Sequence, residues 1–279
     1  MSNILGFDIG GSSVKAILVE KKEIKKSLFE DLPENLDQLL DLAARLKNDL
    51  AAGEEIAGAG FALAGALDKE KENMLASPNI KFLNNQPLKK LFAQKLNCPV
   101  KIEHDARCFI LAEKEAGCAK NLKNIFYLTL GTGIGGALMI DGKIIQGAHG
   151  SAGEAGHMII DSILGLDWEK IASIQFIKKC LGIDFEEALK RAEENDAQVQ
   201  EVFSRLGRNL GLGISGIINT FDPEAVIISG GLARAGEYFL AGMKENIEKY
   251  VLSPEAKKTD IIFSDLGRFG GALGAAMLI

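Results

Sequence analysis

The sequence predicts an α/β protein with two similar lobes, and two observations lead to this fold class. Residues 4–24 and 125–145 align without a gap, with glycine, apolar and polar residues at matching positions. Behind each copy, segments with the apolar spacing of helices and of strands alternate along the chain. An internal repeat of this kind indicates two related units. The length of 279 residues suits one large domain or two ordinary ones.

The elements can be predicted in order along the chain. The first copy, ILGFDIGGSSVKAILVEKKEI, indicates a β-meander of three strands joined by a Gly-rich turn and a polar turn. We then expect a helix over 35–52, a strand over 55–65, a helix over 87–97, a strand over 99–104 and a helix over 105–117. The second meander is followed by one long helix within 186–221, a strand over 225–230, a further helix and a strand over 260–265. The two meanders should therefore occupy equivalent places in the two lobes.

The predicted lobes are residues 1–117, joined by a C-terminal helix over 268–279, and residues 118–267. The gapless alignment pairs Gly10 with Gly131 and Ala16 with Ala137. No segment near the boundary is rich in Pro or Ser. We therefore expect a hinge at residues 117–122 rather than a flexible linker.

Composition excludes several classes of function. The net charge is -6, and acids interrupt the only basic cluster, at residues 21–26, so a nucleic-acid surface is not expected. The four cysteines have no CxxC spacing, which is typical of a reducing compartment. The N-terminus lacks the features of a signal peptide, and no apolar run is long enough for a membrane helix. The protein is thus expected to be soluble and cytoplasmic, without a membrane partner.

Two Gly-rich turns are candidate phosphate-binding sites. DIGGSSVK contains Gly10, Gly11 and Ser12, and GTGIGG contains Gly131 and Gly133. Glycines at such turns leave main-chain N–H groups free to face an anion. The GxGxxG string alone is weak evidence, and it leads here into a strand instead of the helix that a dinucleotide site requires. The alternative for each turn is a plain tight hairpin.

Three acidic positions carry candidate chemistry. Asp8 ends the first strand, where a carboxylate can hold Mg²⁺ directly or through water, or can cap the turn. Lys15 on the next strand either approaches phosphate or faces solvent. Asp105 follows a strand and precedes a helix, so it suits a general base and equally an N-cap. Glu154 and His157, three positions apart, are consistent with an acid/base pair, metal ligands, binding of a polar ligand or a polar turn.

Several motifs in this order resemble the ROK family of sugar kinases, within the actin-like ATPase superfamily. They are DIGGSSVK, SPN, HDAR, LGTGIGGALMIDGKIIQGAHGSAGEAGHM and INTFDPEAVIISGGLA, and they cover essentially the whole chain. The resemblance implies two lobes of the ribonuclease H-like fold with an ATP and sugar cleft between them. It also implies transfer of the γ-phosphoryl group of ATP, with Mg²⁺, to a glucose-like hexose or an N-acetylhexosamine.

The resemblance also assigns roles to residues. It makes Asp105 the base and Asn79 a sugar contact. From their side-chain chemistry, His104, Glu154 and His157 are further candidate sugar contacts. Thr132 would bond the transferring phosphoryl group. Gly230 and Gly231 would let adenosine pack on the backbone, the alternative being an ordinary strand-to-helix turn. Family members are often homodimers, and we expect the same here.

The chain departs from the family pattern at two positions. The family segment is commonly NDAN, and this sequence has His104 and Arg107 in place of the two asparagines. An imidazole lacks the paired donor and acceptor of an amide. The departure therefore bears on which sugar is preferred.

A competing hypothesis is a non-catalytic sugar sensor, since the ROK family includes transcriptional repressors. Those resemble this chain only after an N-terminal helix-turn-helix, and here the first glycine turn begins at Asp8. The sequence is therefore expected to leave no room for a DNA-binding domain.

The resemblance makes a structural zinc site a possibility, but this sequence predicts that none is present. ROK proteins often bind zinc through the His of the GEIGH-like segment and three cysteines soon after it. Residues 158–179 contain no cysteine, and Asp161 and Asp167 are poor substitutes for thiolates. Packing of Ile163, Leu164, Leu166 and Trp168 is expected to hold this segment instead.

We predict that the purified protein contains no stoichiometric zinc, because four suitable ligands are not available near His157. Elemental analysis of protein prepared without chelators checks this. One zinc per chain would contradict the prediction.

Overall fold

The computed structural model describes residues 3–279, which form fourteen strands and nine α-helices. The strands are β1 (Asn3–Ile9), β2 (Ser13–Glu20), β3 (Glu23–Asp31), β4 (Ile56–Leu63), β5 (Ala66–Leu67), β6 (Met74–Ala76), β7 (Val100–His104), β8 (Ile125–Leu130), β9 (Ile134–Ile140), β10 (Lys143–Ile145), β11 (Ile159–Asp161), β12 (Leu166–Asp167), β13 (Ala225–Ser229) and β14 (Asp260–Phe263). The helices are α1 (Leu36–Ala51), α2 (Leu88–Leu96), α3 (Asp105–Glu115), α4 (Trp168–Ala172), α5 (Ile174–Leu181), α6 (Phe185–Glu193), α7 (Ala197–Phe221), α8 (Gly236–Tyr250) and α9 (Gly270–Ala276).

These elements form two compact units, each with its own sheet. The first unit contains the chain through Asn121 together with 146–152 and 266–279, and the second contains 122–145 and 153–265. Residues 146–152 thus belong to the first unit, although the sequence analysis places them in the second lobe. The predicted α/β class agrees with both units.

The sheet of the first unit has the order β3-β2-β1-β4-β7. The meander strands β1, β2 and β3 are antiparallel, and β4 and β7 continue the sheet in parallel. Strands β1, β2 and β4 are largely apolar and buried, whereas the edge strand β3 is polar and mostly exposed. Rings of Phe7, Phe61 and Phe92 stack through the core at centroid distances of 4.5 and 4.0 Å. The carboxyl ends of β1 and β7 place Asp8 and Asp105 at the same edge of this sheet.

Helix α9 packs unusually close to this sheet, because glycines face it. A Cβ on Gly6 would lie 2.0 Å from the Ala272 carbonyl oxygen, and one on Gly60 would lie 1.8 Å from the Ala275 carbonyl oxygen. On the other side of α9, a Cβ on Gly274 would lie 1.7 Å from the Cys108 carbonyl oxygen in α3. The three glycines therefore let β1, β4, α9 and α3 approach to backbone contact.

The second unit repeats the same topology, with the order β10-β9-β8-β13-β14. Its core is built around the long helix α7, where Gly213 leaves room for the fully buried ring of Trp168. The indole Nε1 donates to the Asn209 carbonyl oxygen at 3.0 Å. The three-strand meander and the later strands of this unit are present as predicted, whereas β11, β12, α4 and α5 have no counterpart in the sequence prediction.

The gapless alignment of the two meanders is wrong beyond the glycine turn. Ile9 pairs with Val14 across the first turn, whereas Leu130 pairs with Ile134 across the second. The second turn is one residue shorter, so the equivalence of Ala16 and Ala137 shifts by one position. Because side chains alternate between faces of a sheet, this shift also exchanges the faces that were assumed to match.

The single long helix predicted within 186–221 is two helices, α6 and α7. Asn195 adopts a positive φ of 63° and ends the first helix. Asp196 begins the second, since its side chain accepts hydrogen bonds from the amides of Gln198 and Val199. The capping preference of Asp outweighs the continuous helical spacing of apolar residues.

The hairpin of β11 and β12 differs from the sequence prediction. Trp168 is buried and Leu166 is half-buried, but the side chains of Ile163 and Leu164 are 92% and 69% exposed. The amides of both residues donate to Asp161 Oδ1, which shapes the tip of the hairpin. The prediction that Ile163 and Leu164 pack to hold this segment is therefore wrong, because a polar turn holds them at the tip.

Among residues 3–279, no helix combines the length and apolar character that crossing a bilayer requires.

We expect Gly60→Ala to lower the free energy of unfolding by about 1–3 kcal/mol, because the added methyl overlaps the α9 backbone. Gly216→Ala is the matched control, since a Cβ at that helical position meets no atom within 4 Å. It should be neutral or stabilise by up to about 1 kcal/mol. Urea unfolding curves of the three proteins measure the difference, and equal midpoints for both variants would contradict close packing at Gly60.

Candidate functional site

The first group of predicted site residues surrounds Asp8 at the end of β1. Asp8 and Lys15 are cross-strand partners, and Lys15 Nζ lies 2.8 Å from Asp8 Oδ2. Asp8 is only 4% exposed. Burial raises the pKa of the Asp8 carboxyl, the ion pair with Lys15 lowers it, and the negative charge of Asp105 raises it. The net effect is a raised pKa, so burial outweighs the ion pair.

The first glycine turn lies beside Asn79. The Gly10 amide donates to the Ser13 carbonyl oxygen at 3.0 Å, which closes the turn, while Gly11 and Ser12 are exposed. A Cβ on Gly11 would lie 3.1 Å from Asn79 Cβ. The structure thus brings the predicted phosphate turn and the predicted sugar contact together.

Asp105 is the first residue of α3 rather than its N-cap, which is His104. The side chain of His104 makes no capping hydrogen bond, and Asp105 Oδ1 accepts from the Ala106 amide at 2.7 Å. His104 Nδ1 lies 3.3 Å from Asp105 Oδ1, and the two side chains are 13% and 27% exposed. The Asp105 carboxylate is therefore partly accessible at the N-terminus of α3.

The second glycine turn, in the second unit, is fixed by hydrogen bonds and by the packed side chain of Glu169. The Gly131 amide donates to the Gly133 carbonyl oxygen at 2.9 Å, and the Gly131 carbonyl accepts from the Ile174 amide. The carboxylate of Glu169 occupies the space that a side chain at Gly133 would fill, and it accepts from the Ile134 amide at 3.3 Å. Thr132 is exposed at the tip of this ordered turn.

Gly230 and Gly231 adjoin this turn. Gly230 has a φ of 90°, and a Cβ on it would lie 2.3 Å from the Leu130 carbonyl oxygen. Gly231 begins a 3₁₀ turn, and a Cβ there would meet no atom within 4 Å. The backbone at 230–231 is thus open to a ligand, and it lies next to the strand that leads into Gly131.

Glu154 and His157 lie on a turn that packs against the start of β9. Gly153 has a φ of 104°, and a Cβ on Gly156 would lie 2.2 Å from the Ile134 carbonyl oxygen. Both polar side chains are exposed. The two glycines therefore place Glu154 and His157 beside the strand that leaves the second glycine turn.

The residues near His157 are already engaged within the protein. Asp161 accepts from the hairpin amides, and Asp167 caps α4 and pairs with Lys170 at 2.7 Å. Across residues 3–279, no group of three or more His, Cys, Asp or Glu side chains is arranged to hold a metal ion. Asp8 offers a single carboxylate, which suits a Mg²⁺ that obtains its other ligands from phosphate and water.

Comparison with known proteins places these residues in a family. The sequence pattern of the ROK family matches residues 4–279. The chain belongs to the ROK family. A glucokinase of Thermotoga maritima is 28% identical over 99% of this chain and 96% of its own length. The xylose repressor of Bacillus subtilis, another match, is 28% identical over 99% of this chain and 76% of its own length.

A solved structure resembles the whole chain. It is a ROK family glucokinase of Streptomyces griseus in complex with glucose and AMPPNP, with a TM-score of 0.87 and 26% identity over 99% of both chains. This likeness confirms the predicted two-lobed fold of the actin-like ATPase class. The roles predicted for individual site residues stay predictions.

Sequence reasoning missed two features of the site. The buried carboxylate of Glu103, two residues before Asp105, pairs with the half-buried Lys71. Gly271 lets the backbone of α9 pack against the Asp8 carboxylate, since a Cβ there would lie 2.9 Å from Asp8 Cγ. The signal for Gly271 was the run of small residues in GGALGAA. Glu103 gave no sequence signal, since the strand VKIEH contains three polar residues and only the structure shows the partners of Glu103.

We expect Lys15→Met to destabilise the protein by on the order of 3 kcal/mol at neutral pH, because it leaves the buried Asp8 charge unpaired. The pKa of Asp8 is already higher in the folded chain than in the unfolded chain, so ionised Asp8 costs stability. The variant should raise this pKa further, and the loss should shrink as the pH falls through it.

Urea unfolding of Lys15→Met at neutral and acidic pH measures this effect, with Asp8→Asn/Lys15→Met as the control. The double variant should recover most of the stability at neutral pH. A loss in Lys15→Met that is the same at both pH values would be incompatible with the ion pair as its cause.

Proposed function

We propose that this chain is an ATP-dependent sugar kinase, which transfers the γ-phosphoryl group of ATP to a hydroxyl of a hexose or N-acetylhexosamine. A glucose-like hexose is the first candidate. The observation that carries the proposal is the accessible carboxylate of Asp105 at the start of α3, on the same sheet edge as Asp8 and beside His104. The similarity to glucokinases over nearly the whole chain supports it.

Asp105 would act as the general base. A carboxylate within hydrogen-bond reach of a substrate hydroxyl can accept its proton. Phosphoryl transfer passes through a loose transition state, so the base orients the hydroxyl and takes its proton late.

The two glycine turns would bind the nucleotide. Main-chain amides at 10–12 and 131–133 suit phosphate oxygens, and Thr132 adds a hydroxyl donor. The open backbone at Gly230 and Gly231 suits the flat adenosine group. Mg²⁺ bound with ATP would neutralise charge on the phosphates, and Asp8 is the residue that would hold it, with Lys15 next to it.

The sugar would be bound by polar side chains. Asn79, His104, Glu154 and His157 offer amide, imidazole and carboxylate groups that match hydroxyl donors and acceptors. Because catalysis here depends on positioning more than on covalent chemistry, these contacts set both affinity and the geometry of attack. A homodimer in the cytoplasm is part of the same proposal.

The second candidate is a sugar sensor without catalysis, which the similarity to the xylose repressor favours. The two candidates differ in one measurable respect. A kinase releases ADP only when the right sugar is present, and a sensor binds sugar without turnover.

We expect sugar-dependent ADP release by the wild-type protein and a loss of about 10²–10⁴-fold in Asp105→Asn, because the hydroxyl proton then has no acceptor. A coupled assay with ATP, Mg²⁺ and a panel of hexoses and N-acetylhexosamines measures both. Asp49→Asn is the matched control, since Asp49 lies on the exposed face of α1 and should leave turnover unchanged.

Calorimetric titration with the same sugars completes the test. Binding that persists in Asp105→Asn while turnover is lost supports the assignment of the base. Sugar binding by the wild-type protein without turnover on any sugar would replace the kinase with the sensor. Full activity in Asp105→Asn would refute only the role of this residue as the general base.

A further inference from the structure

The buried carboxylate of Glu103, two residues before Asp105, connects several segments of the first unit. Glu103 at the end of β7 is 3% exposed. Its carboxylate pairs with Lys71 Nζ, lies 3.4 Å from Arg107 Nη1 and accepts from the His104 amide at 2.9 Å. One acid thus contacts the loop between β5 and β6, the first turn of α3 and the backbone just before Asp105.

Arg107 extends this network to the segment 146–152. Its Nη2 donates to the Gly150 carbonyl oxygen at 2.6 Å and to the Ala152 carbonyl oxygen at 3.3 Å. Ala152 in turn donates its amide to the Gln146 carbonyl oxygen at 3.1 Å. The chain continues from this segment through Gly153 directly into Glu154.

The geometry requires the length and planar fork of an arginine. One guanidinium nitrogen meets the Glu103 carboxylate while another reaches two backbone carbonyls, an arrangement that a single ammonium cannot reproduce. The asparagine usual at this place in the family pattern is too short to span the same distance. Arg107 is therefore a feature of this chain that the family resemblance does not explain.

Stability alone does not account for a buried arginine here. Arg107 is 4% exposed, and its Nε has no hydrogen-bond partner among residues 3–279. Removing a charge and a donor from water is costly, and buried ion pairs often add little net stability. A role in holding the segment 146–152 gives a reason for keeping it.

We propose that Arg107 is a positioning residue for the sugar. Held by Glu103, it fixes the segment 146–152 to the start of α3, so that the chain enters Glu154 in a defined conformation. This inference rests on the proposed function, because it assumes that Glu154 contacts the sugar. It assigns no contact with the reacting atoms to Arg107 itself.

The decisive variant is Arg107→Lys, which keeps the charge beside Glu103 and loses the hydrogen bonds to both carbonyls. We expect KM for the sugar to rise about tenfold, since two charge-assisted hydrogen bonds that order the segment are lost. The KM for ATP and the kcat should stay within about twofold of the wild-type values. This is expected when ground-state and transition-state binding of the sugar weaken together. Arg45→Lys, an exposed arginine of α1 with two acidic neighbours, is the matched control and should leave all three constants unchanged.

A second variant and a second readout keep the inference testable if one protein folds poorly. Glu103→Gln removes the charge that holds Arg107 and should raise the sugar KM in the same direction. Hydrogen exchange of the peptide 146–152 should become faster in both variants, with the Ala152 amide affected most, and α1 and α2 should exchange as in the wild-type protein.

The outcomes separate this inference from the proposed function. If the wild-type protein has no kinase activity, the kinase proposal fails, while faster exchange confined to 146–152 and weaker sugar binding by calorimetry still support the role of Arg107. If Arg107→Lys has unchanged sugar KM, or if exchange in 146–152 is unchanged, the role is refuted. Equal losses in kcat and in both KM values, with faster exchange throughout the unit, would also overturn it in favour of a general structural effect.

Discussion

The first unit depends on backbone contact between α9 and its neighbours. Gly6 on β1 and Gly60 on β4 face the helix, and Gly274 on the helix faces α3, so no side chain separates these elements. Interiors are packed to near-crystalline density, and such a contact has almost no freedom to slide. Strand β1, which contains Asp8, and helix α3, which begins at Asp105, are consequently fixed relative to one another through α9. Gly271, in the same helix, borders the Asp8 carboxylate directly.

The buried acids on this rigid base are paired in two separate groups. Asp8 pairs with Lys15, and Glu103 pairs with Lys71 and Arg107. Asp105 Oδ1 lies 3.3 Å from Nδ1 of the His104 ring. Pairing the buried acids in this way compensates their charge, and the partly exposed carboxylate of Asp105 lies among them.

The sequence predicted the parts of the site that depend on local chemistry. Glycine turns, the acid at the end of β1 and the acid at the start of α3 follow from short-range preferences of residue types, and the structure places them at the expected ends of strands. Contacts between distant segments were not predictable in the same way. The attachment of 146–152 to Arg107 joins residues far apart in the chain. The second glycine turn is one residue shorter than the first, and its glycine-rich sequence gives no sign of this difference. Ile163 and Leu164 were misjudged because apolar character indicates burial only on average.

The segmented composition of the first unit has a consequence for biosynthesis. All residues of the second unit lie within 122–265, whereas the first unit also needs 266–279, which form the helix that seals its sheet. A ribosome therefore completes the second unit before the first, although the first begins earlier. Until α9 is synthesised, the backbone of β1 at Gly6 and of β4 at Gly60 lacks the helix that packs against it. Folding of the N-terminal part in the cell is thus tied to the synthesis of the last helix.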